Sequence, residues 1–68
     1  MTTAQATASD TQLYRVTDAM RMLSMSRSVI YEQLRSQRLR SVRQGRSRLI
    51  PASAIAEYVA LLESEAGR

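Results

Sequence analysis

At 68 residues the chain has room for one domain, near the lower size limit at which a hydrophobic core suffices unaided, and this excludes a large enclosed substrate pocket. It contains no cysteine and no histidine, so disulfides, thiolate metal sites and imidazole chemistry are unavailable. The net charge is +4, and from Arg21 to Arg48 eight arginines stand against a single acid, Glu32.

That concentration of charge in mid-chain is the footprint of a polyanion binder. A face kept basic only for solubility would mix in acids, so the composition favours nucleic acid as a partner; a module docking an acidic protein is the competing class. Every basic residue is arginine, so arginine at any single site carries no argument of its own. No basic or apolar run resembling an export signal opens the chain, and nothing approaches the ~20 apolar residues of a membrane span. A cytoplasmic, nucleoid-associated location with no membrane partner is expected.

In chain order, residues 1–12 are rich in threonine, alanine, glutamine and serine and read as a disordered arm. Val16, Ala19, Met20 and Leu23 follow the i, i+3, i+4, i+7 spacing of one helical face, with Met22 and Met25 at the core or its edge. Ser24, Met25 and Ser26 break that pattern, and Ser26 suits the N-cap of a second helix from Arg27 to about Ser36. Ile30 and Leu34 define its buried face, leaving the polar side to meet a partner.

Leu39 to Arg43 and Arg46 to Ile50 form two short runs joined through Gln44-Gly45, the sequence form of a tight β-hairpin with Val42 and Ile50 inward. Pro51 closes the second strand and suits the first position of a third helix. That helix spans Ala52 to about Ser64, with Ile55, Tyr58, Val59 and Leu62 on the core face and the Tyr58 hydroxyl at the surface. The predicted fold is mainly α with a small β-hairpin, a winged helix-turn-helix over residues 13–63, followed by a frayed tail at 64–68.

Three segments carry a family resemblance over about Leu13 to Glu63. "LYRVTDAMRMLSMSRSVIYEQLRSQRL" resembles the first helix, turn and recognition helix of excisionase-type DNA-binding domains, related in design to the DNA-binding domain of MerR-type regulators. "RSVRQGRSRLIP" resembles their wing, and "PASAIAEYVALL" their closing helix. The chain departs from the pattern at Ser24 and Gln37, where many members carry glycine, and at Glu32, a position often basic.

The resemblance implies that the second helix enters the major groove of double-stranded DNA while the wing tracks the backbone or minor groove. Recognition-helix contacts then fall to Ser26, Arg27, Ser28, Tyr31, Glu32 and Arg35, and wing contacts to Arg43, Gln44, Arg46 and Arg48. Glu32 either pairs with Arg35, which helical spacing favours, or accepts from a cytosine amine. No catalytic residue, metal or cofactor is expected.

The implied function is an accessory protein, an excisionase that binds repeats beside a recombinase attachment site and promotes integrase-mediated excision of a mobile element. The alternative is a small transcriptional regulator on the same scaffold. Cooperative self-association on DNA is expected, with Glu57, Glu63 and Glu65 meeting the basic middle of the next copy.

Overall fold

The computed structural model describes residues 12–67. The arm expected over residues 1–12 lies outside them except for Gln12, whose carbonyl accepts the Ala52 amide at 2.8 Å. The elements run β1 (Leu13–Arg15), α1 (Val16–Leu23), α2 (Arg27–Arg35), β2 (Val42–Gln44), β3 (Ser47–Pro51) and α3 (Ala52–Ala66). The fold is three helices with a small antiparallel sheet, as expected of a winged helix-turn-helix. The sheet has three strands rather than two, ordered β1-β3-β2, because the segment leading into α1 pairs Tyr14 with Ile50 across β3.

The core is one cluster built from Val16, Ala19, Ile30, Leu34, Leu39, Ile50, Ala54, Ile55 and Tyr58. The face of α2 is as its spacing predicts, with Ile30 and Leu34 buried. On α3 the buried face is turned from the expected one. Ala54, Ile55 and Tyr58 are buried, Leu61 and Leu62 are half-buried, and Val59 is 37% exposed. With Ala54 buried one turn before Tyr58, the buried face is centred on these two positions and Val59 falls on its flank. Tyr58 is buried, at 2% exposure. On α1, Met22 is half exposed rather than at the core edge.

Both turns flanking α2 are made without glycine. Ser24 is left-handed at φ 56°, and the Ser24 and Met25 amides bond back to the Arg21 and Met20 carbonyls at 3.3 and 2.9 Å. These bonds satisfy carbonyls that α1 would otherwise leave open. Ser26 then caps α2, its hydroxyl accepting from the Val29 amide at 3.4 Å. At the far end Gln37, φ 66°, reverses the chain so that Leu39 enters the core and donates its amide to the Gln33 carbonyl at 3.2 Å. Leu39 is therefore a core residue in the loop before β2, not part of the strand.

The hairpin turn sits one residue later than predicted, at Gly45-Arg46, with Gln44 opposite Ser47. Gly45 has φ +60° and Arg46 is not left-handed, the arrangement of a type II′ turn, whose twist matches that of its strands. Val42 consequently lies opposite Leu49 on the face away from Ile50 and is 41% exposed. The expectation that it points inward is corrected by this register. Helix α3 also continues past Ser64 to Ala66, and Glu65, placed in the expected tail, is held by an ion pair.

Candidate nucleic-acid interface

The arginines divide into two groups. Arg38 donates through Nη1 and Nη2 to both carboxylate oxygens of Glu65 at 2.9 and 2.8 Å, and its Nε donates to the Gln33 side chain at 3.0 Å. Arg40 grips Glu57 in the same forked manner at 2.9 and 3.0 Å. Each bond raises the arginine pKa and lowers that of the carboxylate below its ordinary value, the hydrogen bond being the largest cause in all four groups. Arg21 pairs with Asp18 one turn earlier at 3.5 Å. Among the described residues Arg15, Arg27, Arg35, Arg43, Arg46 and Arg48 have no acid partner.

Five of those six line one open groove of about 790 Å³ between the start of α2 and the hairpin: Arg15, Arg27, Arg43, Arg46 and Arg48. Val16, Thr17, Tyr31, Ser47 and Leu49 complete its walls, and no acid does. Arg43 and Arg48 are direct cross-strand partners. Side chains so placed have Cβ atoms only ~4.5–5.5 Å apart, and like charges there repel. No carboxylate lines the groove to offset that repulsion, so a bound anion would relieve it.

The structure brings Arg27 and Tyr31 of the predicted recognition helix together with Arg43, Arg46 and Arg48 of the predicted wing. Arg46 is at the turn itself, not on the strand beside Arg48. Gln44 and the exposed Ser28, Glu32 and Arg35 lie outside the groove. Ser26 is engaged as the cap of α2, its hydroxyl 3.4 Å from that of Ser28. Glu32 makes no ion pair among the described residues, so the pairing with Arg35 that helical spacing favours is not formed.

Sequence reasoning missed Arg15 and Thr17. Arg15 joins the groove only because β1 pairs with β3, setting Arg15 opposite Leu49, and three residues are too few to show strand alternation. The acids expected to meet a neighbouring copy have another use: Glu57 and Glu65 are bound to Arg40 and Arg38 of their own chain. Glu63 alone of the three has no ion pair among the described residues.

No helix among the described residues is long and apolar enough to cross a membrane. Comparison with curated proteins gave no match, and neither did comparison with solved structures. A family model described as "Helix-turn-helix domain" matches residues 13–60, from the first residue of β1 into the middle of α3. That family contains excisionase-like DNA-binding domains. The match takes in both helices of the motif, the arginine-lined groove and the hairpin, and supports binding to double-stranded DNA. The chain belongs to the helix-turn-helix domain family.

Proposed function

We propose that the chain binds DNA by laying the exposed face of α2 in the major groove while the hairpin straddles the neighbouring backbone. One strand's phosphates then run through the groove between them. The observation that carries this reading is the acid-free groove lined by Arg15, Arg27, Arg43, Arg46 and Arg48. Arg46, in the turn between β2 and β3, suits a narrow minor groove or its flanking phosphates. Arg35, Tyr31 and Ser28 supply contacts along α2, and Gln44 one beside the turn.

Within that reading the chain acts as an excisionase-type accessory factor. It performs no bond chemistry of its own; it occupies sites beside a recombination core and favours excision by an integrase. A module of this size buries only ~600–1,000 Å² on DNA, so several copies on repeated sites are needed for useful specificity. Footprinting on the DNA flanking its own gene, with an excision assay on the same fragment, tests both levels. Protected repeats next to a core, with excision dependent on the protein, support the reading. Protection confined to a promoter, with excision unaffected, replaces the excisionase role with transcriptional regulation; no protection anywhere removes DNA binding itself.

A further inference from the structure

Glu32 stands at the centre of the exposed face of α2 and makes no ion pair among the described residues. At about 3.6 residues per turn, Ser28, Glu32 and Arg35 fall opposite the buried Ile30 and Leu34, with Val29 on one flank and Tyr31 on the other. All five are exposed. The hydroxyl of Ser28 lies by Ser26, and Arg35 makes no salt bridge among the described residues.

A bare carboxylate facing a polyanion lowers affinity wherever it meets phosphate. It is tolerated where it meets a donor instead, and the major groove offers donors on base edges, among them the N4 amine of cytosine. Val29, 43% exposed, is one turn before Glu32 on the same side of the helix. An aliphatic side chain so placed adds little to the core, but it matches the 5-methyl group of thymine, the apolar feature of the major groove. Residues three apart on a helix have Cβ atoms ~5–6 Å apart, against a rise of ~3.4 Å per base pair.

We infer that α2 reads sequence through Glu32 and Val29: Glu32 accepts a hydrogen bond from the N4 amine of a cytosine, and Val29 packs on the methyl of a thymine one or two base pairs away. The inference rests on the proposed entry of α2 into the major groove. The arginines of the groove then supply affinity, and an acid and an aliphatic residue supply the preference. Glu32 accordingly lowers affinity for random DNA while raising it for the right base.

The test is selection from a randomised duplex pool by the full chain, by Glu32→Gln and by Val29→Ala, with folding checked by circular dichroism. The parent is expected to enrich cytosine near thymine. In Glu32→Gln the cytosine position should shift to adenine, which glutamine pairs with through N6 and N7, with discrimination changing about 5- to 150-fold. That variant should also bind random DNA more tightly than the parent. Uracil in place of the selected thymine should weaken the parent about fourfold and leave Val29→Ala unchanged. A Glu32→Gln variant that selects the parent's bases overturns the inference. So does a parent that retards random DNA in a gel but enriches no base, an outcome that leaves DNA binding standing; a parent that retards no DNA removes both readings.

Discussion

Arg40 holds Glu57 with two parallel hydrogen bonds of 2.9 and 3.0 Å, tying the loop between α2 and the hairpin to the middle of α3. Arg38 and Glu65 repeat the arrangement nearer the end of that helix. The two pairs brace the connection that sets where the hairpin lies relative to α2. They also withdraw two arginines from the polyanion-facing set, leaving the groove as the basic surface.

Removing both acids should therefore change DNA binding as well as stability. The Glu57→Gln, Glu65→Gln double variant is expected to bind random duplex more tightly than the parent, because Arg38 and Arg40 become available to phosphate. Gel retardation at matched salt measures this; equal or weaker binding would show that those arginines cannot reach DNA.

The same pairs give stability a defined pH dependence. Folding lowers the pKa of Glu57 and Glu65 below the ordinary 4.5, so their contribution is complete above that value and is lost as pH falls below it through the folded-state pKa. Tm measured from pH 7 down to 3 should fall more steeply below about 4.5 in the parent than in the double variant. Because the pairs lie at the surface, salt should reduce the difference.

Leu34→Ala should cost ~2–5 kcal/mol, a large share of the stability of so small a domain, whereas Val59→Ala should stay within about 0.5 kcal/mol. Urea melts of the Leu34 variant check the buried face of α2, and those of the Val59 variant separate the face that α3 buries from the one its spacing suggests. A costly Val59→Ala would place that residue back in the core.

Helix α2 was legible because Ile30 and Leu34 are its only apolar residues on one side and Ser26 announces its start. The arginine clustering was legible as charge, but its division was not. Nothing local marks Arg38 and Arg40 as partners of Glu65 and Glu57, which lie 27 and 17 residues away and come within reach only when α3 folds back. The hairpin was visible through Gly45, yet a single glycine fits either turn position, so its register and the exposure of Val42 required the pairing with β3. Leu39 read as the start of a strand because the left-handed turn at Gln37, made without glycine, leaves no signal in the residue type.

That turn and its counterpart at Ser24 offer a stability gain. Left-handed backbone costs a residue bearing a Cβ about 1 kcal/mol relative to glycine. Ser24→Gly and Gln37→Gly should each stabilise by up to that amount, partly offset by the greater freedom of glycine in the unfolded chain. Thermal melts showing a loss in both would contradict the strain assigned to these positions.

Arg27→Ala and Arg46→Ala should act alike, because both side chains line the groove. Each loss is expected to weaken cognate and random duplex by the same factor. A loss at Arg27 confined to the preferred site would show that it reads a base and not a phosphate.

The central claim, that the unpaired arginines form one phosphate-binding surface, is tested most directly by the salt dependence of binding to random duplex. With the five arginines of the groove and Arg35 each neutralising a phosphate, log K against log salt should fall with a slope of roughly −5. Replacing Arg43, Arg46 and Arg48 with alanine should bring it to roughly −3, while Arg38→Ala should leave it unchanged. A parent slope near zero, or a triple variant with the parent's slope, would contradict the account.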